Sequence, residues 1–262
     1  MREEDLRFMK DWFSEYTGSF HLDNEEDQRN ITLKIEHTHN VCLNMIEIAE
    51  SLTLDENRLR LAEATALFHD IGRFPQYAEY KTFRDADSKN HGLIGVKTLL
   101  RENVLQALPD NEQKLILNTV KFHNAYAIPS RQSEEEVFFL KMIRDADKVD
   151  IFRVFIEYYE SPKSERASAT AFGVPDTPEY SKKMLSCIFQ KKIAPYSSIK
   201  TENDFKLMQL SWIYDMHFDE SIRLIQKKNY INNLIHKLPQ TEEIQSVMAI
   251  LREYIKERLK SG

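Results

Sequence analysis

Apolar residues recur at helical spacing along most of this chain. Val41, Met45, Ile48 and Leu52 form one such face. The pattern predicts helices over about 26–51, 55–71, 134–159, 204–228 and 242–260, with further helices that begin at His91 and contain Ile116. Only 6 glycines and 8 prolines punctuate the 262 residues, which leaves few turns. The sequence therefore predicts an all-α protein.

Polar residues of metal-binding type continue several of these apolar faces. The candidates are His37, His69, Asp70, His91, His123 and Asp147. His37 extends the face of the first predicted helix by one turn, whereas His39 lies roughly 200° away, since each residue advances about 100°. Taken alone, His37 would be better interpreted as a hydrogen-bonded core histidine than as a ligand. Imidazole and carboxylate together are ligands suited to a divalent transition metal.

The dipeptide His69-Asp70 closes the second predicted helix, whose buried face contains Leu59, Ala62 and Ala66. We expect Gly72 to stop this helix in the left-handed conformation and Pro75 to prevent it from resuming. Burying Asp70 at the negative end of a helix is costly unless a cation lies beside it. A bound metal would satisfy this need; the alternatives are an ion pair with Arg73 or an exposed position.

The next two predicted helices contain His91 and His123. We expect His91 at the edge of a stripe of Leu93, Val96 and Leu100, and His123 on the inward face that contains Ile116 and Val120. Both histidines therefore become candidate ligands.

Three aspartates compete for the last ligand position, on the helix predicted over about 134–159. Asp147 shares a face with Leu140 and Ile143, whereas Asp145 and Asp150 lie off that line. We expect Asp147 to be the ligand. For Asp145 and Asp150 we expect contacts behind the ligands or surface salt bridges, to Arg144, Lys148 or Arg153.

Two segments without clear periodicity are predicted loops. Residues 76–90 are polar and aromatic and would lie over the site, where the segment from Tyr77 to Phe83 could stack a base or simply pack on the core. Residues 161–178 would form a long connection or a lid with Phe172 and Gly173 at its middle. The helices beyond would pack outside the site or form a partner surface.

Composition narrows the classes of protein. No linker is evident, so we expect one domain over 1–262, with a core at about 28–155 and a C-terminal helical extension at about 177–260. The net charge of −6 disfavours nucleic acid polymers and anionic membranes. The start of the chain has no apolar signal core, and no apolar run reaches membrane-spanning length, so we expect a cytoplasmic protein without a membrane partner. A homodimer is compatible with the apolar faces of the last helices.

The segments that carry these candidates resemble those of HD-domain metal-dependent phosphohydrolases. The matching motifs are His37-Thr-His-Asn-Val41, His69-Asp70-Ile-Gly-Arg73 and Asp145-Ala-Asp147-Lys-Val-Asp150, in the order H…HD…H…H…D when His91 and His123 are included. The resemblance implies a helical HD bundle over about 28–155, and His91 and His123 match the dinuclear subset. Asn40 stands where many members have arginine.

The resemblance also implies a ligand set and an activity. His37, His69, Asp70 and Asp147 would hold one ion, and Asp70, His91 and His123 a second, with Asp70 as the bridge. Mn, Fe, Co, Ni or Zn would suit these ligands, with Mg as a further option at the second site. Hydroxide formed on the metal would attack a phosphomonoester or phosphodiester of a nucleotide or small metabolite. Our candidates for catalytic residues are Asp70, Arg73 and Lys148. Arg73 and Lys148 are also candidates for substrate binding, together with Lys121 and Arg84.

The sequence also allows two other interpretations. A di-iron oxygenase on the same fold would use the same six ligands. A metal-stabilised regulatory or binding module would keep the metal without turnover. Motifs of other hydrolases are missing from the sequence, including a glycine-rich phosphate loop, Gly-x-Ser-x-Gly and His-Glu-x-x-His.

Overall fold

A computed structural model describes residues 1–170 and 173–260. The regular secondary structure of these residues is helical, without any strand. The helices are α1 (Glu3–Gly18), α2 (Glu25–Ser51), α3 (Glu56–Phe68), α4 (Arg73–Tyr80), α5 (His91–Arg101), α6 (Asp110–Phe122), α7 (Glu134–Glu160), α8 (Lys182–Phe189), α9 (Glu202–Ser211), α10 (Asp219–Lys227), α11 (Tyr230–His236) and α12 (Glu242–Lys260). The predicted all-α class is confirmed. Among the described residues, no helix has both the length and the apolar character that a membrane span requires.

The chain forms two compact units. The first contains Met1–Asp150 and Lys163–Thr170, and the second contains Ile151–Pro162 and Ala171–Gly262. All the candidate ligands lie in the first unit. The expectation of one domain with a C-terminal extension stays a prediction.

The core of the first unit is built around α2 and α3. These two helices pack along each other, and α3 also packs against α1 and α6, while α5 packs against α4 and α6. Val41, Met45 and Ile48 of α2 and Ala62 and Ala66 of α3 are fully buried, as their spacing predicts. This packing fixes the helices that carry the candidate ligands.

Short polar side chains start three of these helices. Asn24, Asp55 and Asn90 precede α2, α3 and α5, and each accepts a hydrogen bond, 2.9 Å long, from the backbone N–H three residues further on. Such caps satisfy a donor that has no partner within the helix. The cap at Asn90 makes His91 the first residue of α5 and so fixes its place.

The turn after His69-Asp70 differs from the prediction. Gly72 has a right-handed conformation (φ −69°, ψ −14°) and immediately precedes α4, and Pro75 lies in the first turn of that helix. Proline is tolerated there because first-turn N–H groups have no helical partner. Glycine is required at position 72 for a different reason: a Cβ atom would lie 2.0 Å from the carbonyl oxygen of His91. The turn therefore lies directly against α5.

The buried face of α5 also differs from the predicted stripe. Leu93 and Leu100 are exposed, whereas the face towards the core consists of His91, Gly92, Gly95, Thr98 and Leu99. A Cβ atom at Gly92 would lie 2.8 Å from the carbonyl oxygen of Lys121 in α6. Close helix packing through glycine, which a search for large apolar residues misses, brings His91 towards His123.

Helix α7 is buried around most of its circumference near the ligand motif. Asp145 and Asp150 are both fully buried, which excludes the surface salt bridges that were one of their two expected roles and leaves contacts behind the ligands. Phe139, Met142, Ala146 and Val149 are fully buried as well, in addition to the predicted Leu140 and Ile143. A single apolar stripe cannot locate the ligand in a helix that is covered on several sides.

Several segment boundaries require correction. Of the predicted loop over 76–90, residues up to Tyr80 belong to α4, and the remainder contains a short 3₁₀ turn at Asp85–Asp87. The predicted lid contains 3₁₀ turns at Lys163–Glu165 and Ser168–Thr170, and Phe172 lies outside the described residues.

The helix predicted over about 204–228 is broken between α9 and α10. The interruption contains a 3₁₀ turn at Trp212–Asp215. The Arg258 guanidinium donates hydrogen bonds to the carbonyl oxygens of Met216 (3.2 Å) and His217 (3.1 Å). This side chain, distant in sequence, satisfies carbonyl groups that a continuous helix would have satisfied.

Candidate metal centre

Four histidine rings lie in a row inside the first unit. The centroids of His37 and His69 are 5.4 Å apart, those of His69 and His123 are 5.3 Å apart, and those of His123 and His91 are 4.9 Å apart. All four residues are buried. They come from α2, the residue after α3, the residue after α6 and the start of α5, so the packing of four helices assembles the row.

Each of the four rings uses Nδ1 to donate a hydrogen bond. The acceptors are Asp150 Oδ2 for His37 (2.7 Å), the Ala66 carbonyl for His69 (2.7 Å), Asp85 Oδ1 for His91 (2.8 Å) and the Val120 carbonyl for His123 (2.8 Å). Carbonyl and carboxylate oxygens can only accept, so Nδ1 carries the hydrogen in every case. In each neutral ring the lone pair is therefore on Nε2, the atom available for a metal.

Asp70 lies between the two halves of the row. Its Oδ2 atom is 3.8 Å from His37 Nε2 and 3.9 Å from His69 Nε2. Its Oδ1 atom is 3.3 Å from His91 Nε2 and 3.6 Å from His123 Nε2. The two oxygens thus face different histidine pairs. Two groups that could each hold a metal ion result, His37–His69–Asp70 and Asp70–His91–His123.

Asp147 adds a carboxylate to the first group. Its Oδ1 atom is 3.0 Å from His37 Nε2 and 3.8 Å from His69 Nε2. Its side chain retains 22% of its exposure, whereas that of Asp70 retains 5%. The structure therefore brings all six predicted ligands together around Asp70.

The unpaired atoms of the site fit a cation. His69 Nε2 is buried and has no hydrogen-bond partner. His91 Nε2 and His123 Nε2 face each other at 3.0 Å, although both rings donate through Nδ1. Two facing lone pairs repel each other unless a proton or a metal ion lies near both. A divalent ion at each group would give His69 Nε2 a partner and would remove the repulsion between His91 Nε2 and His123 Nε2. The nitrogen and carboxylate ligands are of the expected type.

The histidines differ in their affinity for protons. Burial and the Lys34 charge oppose protonation of His37, but the hydrogen bonds to Asp147 and Asp150 prevail and raise its pKa to about 9. Burial lowers the pKa of His69 to about 4. Burial, together with the nearby Arg73 charge, lowers the pKa of His91 to about 3. At neutral pH His69 and His91 are therefore neutral, as ligands must be.

Two basic side chains flank the central carboxylate. Lys34 Nζ lies 2.8 Å from Asp70 Oδ2, and Arg73 Nε lies 3.4 Å from Asp70 Oδ1. Although burial alone would raise the pKa of Asp70, these two cations hold it well below its ordinary value. Asp70 is consequently ionised and available to bridge. Lys34 was not among the predicted residues, although it lies on the same side of α2 as His37, one turn earlier.

Asp85 supports the second group from behind. Its carboxylate accepts hydrogen bonds from His91 Nδ1, from Gln76 Nε2 (2.9 Å) and from Asn124 Nδ2 (3.0 Å). Burial opposes its ionisation, but the bond to His91 lowers its pKa to about 2. The sequence contains no periodic signal for this residue, because it lies in the 3₁₀ turn between α4 and α5.

The four predicted substrate contacts lie in different surroundings. Arg73 is mostly buried beside Asp70 and donates to Gln76 Oε1 at 2.9 Å. Lys148 is half-buried and follows Asp147 on α7. Lys121 is exposed with Nζ over the Phe122 ring, and Arg84 is exposed and paired with Asp87 at 3.2 Å. Of these four residues, Arg73 has a described contact with a candidate ligand, which is Asp70.

An aromatic ring covers the two cations beside Asp70. The Phe83 ring centroid is 5.1 Å from Lys34 Nζ and 5.8 Å from Arg73 Cζ. Phe83 is half-buried and also contacts the buried Tyr77 ring, with centroids 5.1 Å apart. Tyr77 is thus a packing residue, while Phe83 keeps some surface next to the site.

The described residues form an all-helical fold that contains two groups of histidine and aspartate side chains able to hold a metal ion. Residues 35–151 match the family model of the HD domain, so this segment of the chain is assigned to the HD-domain family, most members of which are metal-dependent phosphohydrolases. No curated protein and no solved structure gave a significant match. The family predicted from the motifs is confirmed, and the matched segment contains all six candidate ligands.

Proposed function

We propose that this protein is a dinuclear metal-dependent phosphohydrolase that acts on a phosphomonoester or phosphodiester. In this proposal His37, His69, Asp70 and Asp147 hold one divalent ion, and Asp70, His91 and His123 hold the other. The observation that carries the proposal is the position of Asp70, whose two oxygens face two separate histidine pairs. A carboxylate placed in this way is suited to bridging two ions.

Divalent ions bound there would supply Lewis-acid neutralisation of phosphoryl charge and would lower the pKa of a bound water, so that it could attack phosphorus near neutral pH. The protein's part is to hold the ligands in fixed orientations. The Nδ1 hydrogen bonds of the four histidines fix each ring and its tautomer. No side chain needs to serve as the nucleophile.

Lys34 and Arg73 are the groups that we assign to the substrate's phosphoryl oxygens. Both side chains retain 15% of their exposure, and each lies beside one oxygen of Asp70. A cation fixed next to the bridging carboxylate would bind the negative charge that develops on the phosphoryl group. Lys148, Lys121 and Arg84 remain candidates for contacts with the rest of the substrate.

We propose a small phosphorylated substrate, with nucleotides as the first class to test. Phe83 supports this choice, because its half-buried ring next to Lys34 and Arg73 offers an apolar surface close to the cations that would bind phosphate. Stacking on an aromatic ring is a common way of binding a base.

Hydrolysis by metal-stripped and metal-reloaded protein tests the proposal. Protein treated with chelator, then reloaded with Mn²⁺, should hydrolyse p-nitrophenyl phosphate, bis-p-nitrophenyl phosphate or both, and the stripped protein should be inactive. His37→Gln should abolish this activity, whereas His39→Gln, an exposed histidine on the same helix, should retain it. A His37→Gln protein as active as wild type would contradict the assignment.

The two rival functions predict other results from the same samples. An oxygenase would bind stoichiometric iron and consume oxygen in the presence of its reductant and substrate, without phosphoester hydrolysis. A regulatory module would lose thermal stability with the metal and show no turnover on either phosphoester or on a panel of nucleotides. Either result would replace the phosphohydrolase proposal.

A further inference from the structure

The two halves of the metal centre are supported by different kinds of residue. His37 is held by Asp150, which is fully buried on α7, the helix that also carries Asp147. His91 is held by Asp85, whose side chain retains 29% of its exposure in the segment between α4 and α5. The first support is thus part of the helical core, and the second is part of a surface segment.

Asp85 is connected to several groups around the second half. Both of its oxygens lie near His91 Nδ1, at 2.8 and 2.9 Å. The same carboxylate accepts from Gln76 at 2.9 Å and from Asn124 at 3.0 Å, and it pairs with Arg73 Nη1 at 3.2 Å. Gln76 is fully buried and also donates to Ser88 Oγ and to the Lys89 carbonyl. The position of Asp85 is therefore defined from several sides.

We infer that Asp85 is a positioning residue that sets the affinity of the second metal ion, the one assigned to Asp70, His91 and His123. This inference rests on the metal centre of the proposed function. Asp85 does not touch the site of that ion; it acts through His91.

Two physical effects support this role. First, the carboxylate fixes the hydrogen of His91 on Nδ1, which directs the lone pair of Nε2 towards Asp70 Oδ1, 3.3 Å away. Second, Asp85 compensates the Arg73 guanidinium, which also lies 3.4 Å from Asp70 Oδ1. Without Asp85 the imidazole could take either tautomer, and an uncompensated positive charge would oppose binding of a cation nearby.

The test is calorimetric titration of the chelator-stripped full chain with Mn²⁺. This ion lies at the weak end of the divalent series, which keeps its dissociation constants within a measurable range. The proteins compared are wild type, Asp85→Ala, Asp85→Asn and Asp87→Ala. Asp87 is the matched control, because it lies in the same 3₁₀ turn but pairs with Arg84 on the surface. Near-ultraviolet circular dichroism checks the fold of each variant.

We expect Asp85→Ala to weaken the second Mn²⁺ equivalent by about 10- to 100-fold and to leave the first within about twofold. Asp85→Asn should give a smaller loss, because its amide oxygen can still accept from His91 Nδ1. If Asp85→Ala fails to fold, Asp85→Asn decides the question. Asp87→Ala should bind both ions like wild type.

Two results would overturn the inference. One is wild-type affinity for both ions in folded Asp85→Ala and Asp85→Asn; the other is equal weakening of both ions. Failure of the underlying centre is distinguishable, because it would be seen in the wild type, as fewer than two Mn²⁺ equivalents. The readout is metal binding, so it does not depend on any hydrolytic activity.

Discussion

At the residue scale, the central feature is the carboxylate of Asp70. Two cationic side chains of the protein itself lie beside this carboxylate. Lys34 lies 2.8 Å from one oxygen and Arg73 lies 3.4 Å from the other. These cations keep Asp70 ionised, and they also compete with metal for the same charge. A single change at Lys34 should therefore separate its effect on metal binding from its effect on the substrate.

Lys34→Met should lower kcat/KM for phosphoester hydrolysis by at least about 10-fold, since a cation assigned to the phosphoryl oxygens is lost. Metal content should be unchanged or higher, because a competing positive charge has been removed from Asp70. Steady-state kinetics and elemental analysis on the same samples measure both effects. Lys97→Met, at an exposed position of α5, is the control and should behave like wild type. Equal kinetics for Lys34→Met and wild type would exclude the assignment.

The histidine pKa values predict how the stability of metal-free protein depends on pH. The pKa values of His69 (about 4) and His91 (about 3) are depressed, so between these values and about 6.5 the unfolded chain binds more protons and stability rises with pH. The pKa of His37 is raised to about 9, so between about 6.5 and 9 the folded protein binds more protons and stability falls with pH.

Thermal unfolding of chelator-treated protein should accordingly give the highest Tm near pH 6.5. His37→Gln should flatten the alkaline side of this profile and leave the acidic side in place. A Tm that rises steadily from pH 6.5 to 9 in wild type would contradict the assigned protonation of His37.

The residues differ in how well the sequence predicts them. His37 and His123 continue apolar faces, and both are buried as predicted. For Asp150 the sequence left two roles open, a contact behind the ligands or a surface salt bridge, because periodicity does not distinguish them in a helix such as α7 that is buried on several sides. Asp85 could not be predicted, because its position depends on hydrogen bonds and not on a helical periodicity. Lys34 could have been found, since it precedes His37 by one helical turn.

At the element scale, close packing of short segments positions the ligands. The His69-Asp70 turn lies against the start of α5 through Gly72, and α5 lies against α6 through Gly92. Large apolar residues predict helices well, as α2 and α3 illustrate, but glycine contacts are not visible as hydrophobic periodicity. This is why the predicted stripe of Leu93 and Leu100 in α5 is exposed in the structure.

Gly72→Ala should destabilise the protein by about 1–3 kcal/mol or more, since the new Cβ would lie 2.0 Å from the His91 carbonyl oxygen and backbone would have to move. The same movement would separate His91 from Asp70 and weaken the second ion. Denaturant unfolding and Mn²⁺ titration measure the two effects. Gly18→Ala is the control, because nothing lies within 4 Å of a Cβ there. Equal stability of the two variants would refute the close-packing account.

At the scale of the whole molecule, the centre draws its ligands from separate segments of the first unit. His37 comes from α2, His69 and Asp70 from the turn after α3, and Asp147 from α7. His91 begins α5, and His123 immediately follows α6. Metal binding should therefore stabilise the arrangement of these helices as a unit, because ions that bind the folded state preferentially shift the unfolding equilibrium.

Removal of metal should lower Tm, and reloading should restore it. At a free ion concentration of about 100 times the dissociation constant, the stabilisation is about 2.7 kcal/mol, which corresponds to roughly 5–10 °C for a unit of this size. Differential scanning fluorimetry with chelator, and then with added Mn²⁺, measures the shift. A Tm that does not change with chelator or with added Mn²⁺ would argue against a metal ion whose ligands come from these separate helices.

The family and the fold class are the parts of the whole molecule that the sequence predicts best. The motifs from His37 to Asp150 are short, chemically specific and correctly ordered, and the family match over 35–151 agrees with them. The C-terminal half is predicted less well. The break between α9 and α10 depends on Arg258, which lies 42 positions beyond Met216 and carries no local signal for such a break.

The most direct test of the central claim is the metal content of purified protein beside its Asp70→Ala variant, with phosphoester hydrolysis assayed on the same samples. We expect close to two transition-metal equivalents per wild-type chain, and loss of both metal and activity in the variant, because Asp70 is assigned to both ions. Two equivalents retained in a folded Asp70→Ala protein, or no metal in wild type even after reconstitution, would contradict a dinuclear centre bridged by Asp70.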